Sequence, residues 1–418
     1  MRGLSMDATI RRSIVSGKIG SPPSVPIAHR ALLAASLSSG GQSVISGIPD
    51  SMEIRATLSA CKAFGADIIF EEGVADVFGA PELSAPSSLD CTPSGIALRL
   101  FLPLASVFDS DVLFTGNISS DENLEPFRAY LDRLGADCFI SGGKLPMKVR
   151  GPLKENRLVY PSRLGTPFFS GMLFSLPLLG VDSEIGVEGN FQRSDLVEAT
   201  IDLMLRCKVG VNRHFEDFLE IEGGQYYDPL GKYEIPGSAY CSSFLVLAGA
   251  LCGKVKVSNA GISPVFESLL SKFSAQVQSS NHVILSSAGS LEAATLDAVS
   301  LGAYLPHAIV LASIANGKST FENYGSIPSH MKRTTGILTR ELSKMGAKTS
   351  SDKGNLSITG GNLTGAVLDP EGNATAAMCC ALASLCAAGK SQLTGVECIT
   401  GRHPWFFRDL AGLGAIIR

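Results

Sequence analysis

Hydrophobic and polar positions follow a pattern along this chain that recurs six times. Each recurrence starts with an almost uniformly apolar segment, followed by a short polar turn and a strand of alternating polarity; these lie at residues 31–47, 100–116, 171–189, 244–259, 309–323 and 378–395. A second segment follows with apolar residues at i, i+3, i+4 and i+7, the spacing of an amphipathic helix. These second segments are residues 58–68, 130–140, 202–212, 269–278, 338–348 and 408–418.

The repeat predicts the architecture. Each unit of about 70 residues is expected to form βαβαββ, with one buried and one exposed helix. Because one unit buries too little apolar surface alone, three should cluster into a lobe with helices inside an outer layer of sheets. We therefore predict an α/β fold of two inside-out α/β barrel lobes. Residues 23–231 form one lobe, residues 1–22 and 232–418 the other, with a ligand cleft between them.

Composition narrows the function classes. The chain has 418 residues, of which 45% are hydrophobic and 18% charged, with a formal net charge of −4. These values exclude a disordered chain, and the lack of a Lys/Arg-dense run argues against a nucleic-acid partner. The longest apolar stretches, 168–181 and 376–388, are shorter than the roughly 18–20 residues that cross a bilayer. No membrane association is expected.

The ten cysteines and six histidines point to no metal or disulfide framework. The cysteines are spread along the chain, mostly in apolar runs such as those of Cys252 and Cys379, and no secretory signal is apparent. They are predicted to be reduced core residues. Because no CxxC pair occurs and the histidines are far apart, we expect no metal site. We also expect a cytoplasmic location, a monomer and no cofactor.

Two segments carry a resemblance to a known family. SVPIAHRALLAASL at 24–37 and CTPSGIALRL at 91–100, together with the sixfold repeat, resemble the enolpyruvyl transferases, most closely the branch that acts on shikimate 3-phosphate. The resemblance implies two lobes that close on phosphoenolpyruvate and shikimate 3-phosphate. It also implies transfer of the enolpyruvyl group to the 5-hydroxyl of the sugar ring, a reaction of chorismate and aromatic amino-acid biosynthesis.

Such a reaction demands cationic side chains and an acid–base group. The two substrates bring about five to six negative charges into one cleft, where arginine pairs well with carboxylate and phosphate. The resemblance assigns Arg30 to the shikimate carboxylate. The positions at or beside family binding residues that retain a suitable residue are Ser24, Arg30, Ser94, Gly95, Arg99, Thr166, Arg193, Ser194, Arg333 and Arg402.

Other charged positions of the family are changed. The lysine that binds phosphoenolpyruvate is Val25 here, and the aspartate that accepts a proton is Ala303. The family's lysine and glutamate acid–base pair falls on His330 and Met331, which leaves His330 as the candidate acid or base. Further changed positions are Glu122 and Asn123, Thr334, Asn373-Ala374-Thr375 and Gly401. The resemblance therefore implies weak binding of phosphoenolpyruvate.

Three hypotheses remain open. The first is an active enolpyruvyl transferase with a rebuilt site in which His330 is the acid–base group. The second is a catalytically silent relative that keeps the fold for binding an anion or a partner protein. The third is another enzyme of the fold, but the nucleotide-sugar branch needs a cysteine within residues 117–127, where none occurs. An RNA-end cyclase would need a nucleophilic histidine, for which His403 is the one candidate.

Overall fold

The structure, a computed structural model, describes residues 6–118, 123–188, 194–214 and 218–418, except for the side chain of His330. The chain divides into two units of similar size. Unit 1 consists of Met1–Pro22 and Gly237–Arg418, and unit 2 of Pro23–Pro236.

Six four-stranded sheets, three in each unit, account for the strands of the described residues. The strands are β1 (Ala8–Arg11), β2 (Val15–Gly20), β3 (Gln42–Ser46), β4 (Asp67–Glu71), β5 (Val74–Phe78), β6 (Ser88–Asp90), β7 (Val112–Thr115), β8 (Asp137–Ser141), β9 (Lys144–Arg150), β10 (Arg157–Tyr160), β11 (Ser183–Val187), β12 (Asn212–His214), β13 (Phe218–Ile221), β14 (Lys232–Glu234), β15 (Gly253–Ser258), β16 (Gln276–Ser280), β17 (Val283–Ser287), β18 (Thr295–Asp297), β19 (Lys318–Glu322), β20 (Lys348–Asp352), β21 (Asn355–Thr359), β22 (Val367–Leu368), β23 (Lys390–Leu393) and β24 (Ile416–Ile417).

All six sheets share one topology. In the sheet of β6 to β9, β6 and β7 are parallel, β7 pairs with β9 antiparallel, and β8 and β9 form a hairpin. The other five sheets repeat this order. Three sheets include a strand from a distant part of the chain. In unit 2, β14 pairs with β3; in unit 1, β2 pairs with β15 and β1 pairs with β23. The predicted βαβαββ repeat and α/β fold class are confirmed.

Helices fall into a buried and an amphipathic class, as the hydrophobic pattern predicts. They are α1 (Val25–Ser36), α2 (Met52–Ala63), α3 (Gly95–Ala105), α4 (Glu125–Arg133), α5 (Gly165–Ser175), α6 (Asp195–Arg206), α7 (Ala239–Cys252), α8 (Pro264–Lys272), α9 (Ala298–Leu301), α10 (Leu305–Ile314), α11 (Ser329–Lys344), α12 (Ala374–Cys386) and α13 (Phe406–Gly412). In the described part of the chain, none of them is long and apolar enough to cross a membrane.

The buried helices of unit 2 are α1, α3 and α5. Their second turns lie side by side, because Arg30 Nε is 3.0 Å from Ser170 Oγ and a Cβ at Gly171 would be only 2.5 Å from Leu100 O. This close approach requires glycine at position 171. At the other end, Leu37 and Leu178 line a common cavity just beyond α1 and α5. α1 and α5 therefore begin at the same end of the unit.

Unit 1 is built in the same way around α7, α10 and α12. The first turns of α7 and α12 are joined by Tyr240 and Thr375, and Ser243 Oγ of α7 lies 2.7 Å from His307 Nε2 of α10. The last residues of the three helices, Cys252, Ile314 and Cys386, line one cavity at the opposite end. The helix N-termini, which attract anions, thus lie together at one end of the unit.

Candidate functional site

A cavity of about 380 Å³ lies at the N-terminal end of the buried helices of unit 1. It brings together positions at which the enolpyruvyl transferases carry charge, although these are as far apart in sequence as Ala303 and Thr375. The lining residues are Tyr240, Gly302, Ala303, Pro306, Met331, Thr334, Gly372, Asn373, Ala374, Thr375 and Arg402. Long-range folding of the repeat, rather than any local motif, assembles this set.

Asn373 is the N-cap of α12. Its Oδ1 accepts a hydrogen bond from Ala376 N at 2.9 Å, and its Nδ2 donates to Thr334 Oγ1 at 2.9 Å. An N-cap position favours a side-chain oxygen acceptor, which asparagine supplies without a negative charge. The side chain therefore fixes α12 against α11 and leaves no carboxylate at this point of the cavity.

Tyr240, Thr375 and Arg402 form the polar wall of the cavity. Tyr240 Oη is 3.2 Å from Thr375 Oγ1, which also accepts a hydrogen bond of 3.4 Å from Arg402 Nη1. The Arg402 guanidinium lies 5.5 Å from the centre of the Tyr240 ring, within cation–π range. Burial raises the pKa of Tyr240, so its hydroxyl stays protonated at neutral pH.

The electrostatic character of the cavity is mildly positive. Arg402 is the one charged side chain in its described lining, which contains no carboxylate and no lysine. The N-termini of α7 and α12 add partial positive charge. The arrangement can hold a small anion, but the described lining offers no group that exchanges a proton near pH 7. The side chain of His330, next to Met331 on α11, lies outside the described residues.

His307 lies directly behind the cavity and is unsuited to acid–base chemistry. Its side chain is fully buried among Tyr240, Phe244, Phe266 and Tyr304. Burial lowers its pKa to about 3, so the imidazole is neutral at physiological pH. Its Nε2 is held by Ser243. We therefore assign it a packing role.

Arg30, the residue assigned to the shikimate carboxylate, is completely buried among the helices of unit 2. Its Nε donates to Ser170 Oγ at 3.0 Å and Thr200 Oγ1 at 3.2 Å, and its Nη1 to Pro26 O at 2.7 Å. Its Nη2 has no hydrogen-bond partner in the described part of the chain. Burial lowers the pKa of this guanidinium to about 9, because its charged form is shielded from water.

The remaining candidates of unit 2 cluster at the starts of its buried helices. Ser24 precedes α1, Ser94 caps α3 by accepting from Ala97 N at 3.0 Å, Gly95 is the first residue of α3, and Thr166 the second of α5. One turn further along α3, the Arg99 guanidinium lies 5.7 Å from the centre of the Phe127 ring. Val25, at the family's lysine position, is buried.

Other predicted positions lie elsewhere. Ser194 is the half-buried N-cap of α6, and Arg333 is exposed on α11 and does not line the cavity. Arg193 and Glu122 fall outside the described residues. His403 is buried and its Nε2 lies 3.1 Å from Asp409 Oδ2, so it is not placed as a nucleophile.

Tyr240 was not singled out from the sequence. Its only signal there is an aromatic residue with a polar group in the first turn of an otherwise apolar helix, a pattern that core tyrosines share. Within the described residues, no group of three His, Cys, Asp or Glu side chains is arranged to hold a metal ion.

Comparison with known proteins yields one family. A family model described as EPSP synthase (3-phosphoshikimate 1-carboxyvinyltransferase) matches residues 11–410. The 3-phosphoshikimate 1-carboxyvinyltransferase of Methanocella arvoryzae is 31% identical and covers 98% of this chain and 99% of its own. The protein of the same name from Clostridium perfringens is 28% identical, with 98% of each chain covered.

A solved structure shares the fold. The EPSP synthase of Acinetobacter baumannii superposes with a TM-score of 0.85 over 99% of both chains, at 18% sequence identity. The architecture is therefore retained across sequences that have diverged widely.

Proposed function

The chain belongs to the EPSP synthase family, and from this premise we propose that it has an EPSP synthase-like function. It binds shikimate 3-phosphate and transfers to it the 1-carboxyvinyl group of phosphoenolpyruvate, a transferase reaction of aromatic amino-acid biosynthesis. The observation that carries the proposal is the convergence of family positions 303, 331, 334 and 373–375 on one cavity.

Two features of the described residues support anion binding. In unit 2, Arg30 is a buried cation with an unpartnered Nη2, and an anion beside it would offset the cost of its desolvation. In unit 1, Arg402 and the N-termini of α7 and α12 line the same cavity. Shikimate 3-phosphate carries both a carboxylate and a phosphate, and arginine pairs well with either group.

The chemical step needs groups that the described lining of the cavity does not supply. Transfer requires a proton for the methylene carbon of phosphoenolpyruvate and an acceptor for the proton of the attacking hydroxyl. With Ala303 at the family's aspartate position, the described lining supplies no such acceptor. General acid–base catalysis contributes about 10²- to 10⁴-fold, so we propose slow transfer, with His330 as the acid–base group.

A second candidate is anion binding without transfer. Ala303, Met331, Thr334 and Ala374 together favour it, because each replaces a group with which the family binds or activates phosphoenolpyruvate. Loss of one charge-assisted contact costs about 1.5–3 kcal/mol. The costs of several such losses add, so the corresponding factors in affinity multiply. Shikimate 3-phosphate would then bind while phosphoenolpyruvate would not.

The deciding experiment incubates purified full-length protein with both substrates at millimolar concentration and follows the reaction by phosphorus NMR. We expect the phosphorus signals of free phosphate and of a new sugar phosphate to increase together. Neither signal should appear when one substrate is omitted. If calorimetry detects binding of shikimate 3-phosphate but no product forms overnight, the transfer is refuted and the binding-only candidate stands.

A further inference from the structure

A second cavity, of about 770 Å³, lies at the opposite end of unit 1. It is formed where α7, α10 and α12 end, and it is closed on one side by the segment between β1 and β2. Its walls include Arg12, Lys254 and two cysteines, Cys252 and Cys386. None of these residues takes part in the proposed function.

The two cysteines are the final residues of α7 and α12. The sequence predicts core thiols, but both side chains are only half-buried and face the cavity. The two residues lie at the same end of helices that pack against each other, although they are far apart along the chain. Two half-buried thiols in the wall of one cavity are accessible to small reagents, unlike the buried Cys379 and Cys380.

The pKa values of the two thiols are shifted in opposite directions. A hydrogen bond donated by the Cys386 thiol lowers the pKa of Cys252, and the backbone N–H of Val15 acts in the same direction. The hydrogen bond to Cys252 raises the pKa of Cys386, partly opposed by the nearby charge of Arg12. When protonated, Cys252 donates to Ala248 O at 3.3 Å. Cys252 is therefore the sulfur that more readily becomes a nucleophilic thiolate, and Cys386 retains the proton.

We propose that Cys252 and Cys386 form a redox-active dithiol site that reacts with low-molecular-weight disulfides. The Cys252 thiolate attacks one sulfur of the reagent disulfide, the reagent S–S bond breaks, and the first reagent thiolate leaves and takes up a proton. Cys386 then loses its proton and its sulfur attacks Cys252 in the mixed disulfide, which releases the second reagent thiol. The two protein thiols are oxidised to one disulfide, and the reagent disulfide is reduced to two thiols.

The test uses the full-length protein under native conditions with oxidised glutathione as the reagent, followed by intact mass and by thiol titration after denaturation. Wild type is expected to lose two of its ten thiols, to gain no mass from glutathione, and to recover both thiols with dithiothreitol. C386S lacks the resolving thiol and is expected to retain one glutathione on Cys252. C252S should react much more slowly than wild type.

A matched control is C398S, which removes another half-buried cysteine of unit 1 that does not line this cavity. It should behave as wild type. Retention of glutathione on wild-type protein would overturn the proposal without relying on any variant, because it would show that Cys386 does not reach Cys252. Equal loss of two thiols in C252S or C386S would overturn it as well.

Discussion

Tyr240 Oη and Thr375 Oγ1 lie 3.2 Å apart and join the first turns of α7 and α12 across the wall of the unit 1 cavity. The contact places a neutral hydroxyl pair at a position where the enolpyruvyl transferases carry an arginine. Arg402 approaches the same threonine oxygen from the segment before α13. The cavity thus retains the helix framework and one cation, but its described lining contains no group that accepts a proton near pH 7.

Restoring a carboxylate at position 303 should accelerate transfer. Ala303 lines the cavity, and Ala303→Asp introduces a proton acceptor where the described lining has none. We expect phosphate release to rise by at least about tenfold, towards the 10²- to 10⁴-fold range of general acid–base catalysis. Ala303→Asn is the matched control, because it has nearly the same size and cannot accept a proton as a carboxylate does. Equal rates for the two variants would contradict the assignment.

Arg402 should contribute to anion affinity. Arg402→Met removes the one charged side chain of the described cavity lining, and we expect the affinity for phosphoenolpyruvate to fall by about 10- to 150-fold, the value of a charge-assisted contact. Arg408→Met is the control, because Arg408 also lies over an aromatic ring, that of Trp405, but does not line the cavity. Calorimetric titration of both variants measures the difference; an equal affinity for both would be inconsistent with the site.

Replacing Arg30 should stabilise the protein and weaken its binding of shikimate 3-phosphate. Arg30→Met replaces a buried cation that has no carboxylate partner in the described part of the chain. Ser170 and Thr200 keep a hydrogen-bond partner in the variant, because their hydroxyls bond each other at 2.8 Å. We expect the free energy of unfolding to increase by about 1–4 kcal/mol in urea titrations. Affinity for shikimate 3-phosphate should fall at least about tenfold.

The exposed Arg55 provides the control for that variant, since Arg55→Met removes an arginine of unit 2 that pairs with Asp50 at the surface. It should change stability by less than about 1 kcal/mol and leave binding intact. A destabilised Arg30→Met protein that binds shikimate 3-phosphate normally would show that Arg30 is a structural residue only.

Two buried histidines should make the protein sensitive to acid. Burial lowers the pKa of His307 to about 3, and burial followed by the charge of Arg30 lowers that of His29 to about 3. Between pH 6.5 and 3 the unfolded chain takes up protons at these residues while the native protein does not, so stability is lost as the pH falls through this window.

His307→Gln isolates one of these contributions, since glutamine can still bond Ser243 but does not titrate. From pH 7 to pH 4.5 the variant should lose about 2–3 kcal/mol less unfolding free energy than wild type. Urea titrations at the two pH values measure it. The same loss in both proteins would mean that His307 is accessible to protons in the native state.

The fold could be predicted from the sequence because the hydrophobic pattern that specifies it repeats along the chain. The apolar runs of α7 and α12 and the spacing of α11 specify buried and amphipathic helices locally, and the repeat specifies their number. The site is less predictable, because the cavity depends on contacts between residues such as Thr334 and Asn373 that only tertiary packing brings together. Burial is also not local, because nothing in the sequence around Arg30 shows that its side chain is fully enclosed.

The most direct test of the account is the rate of phosphate release with both substrates at saturation, measured beside the Methanocella arvoryzae relative under the same conditions. We expect release that depends on both substrates and is slower than that of the relative by about 10²- to 10⁴-fold. No release above the blank would contradict the proposed transfer. A rate equal to that of the relative would contradict the claim that the cavity has lost the acid–base contribution at Ala303.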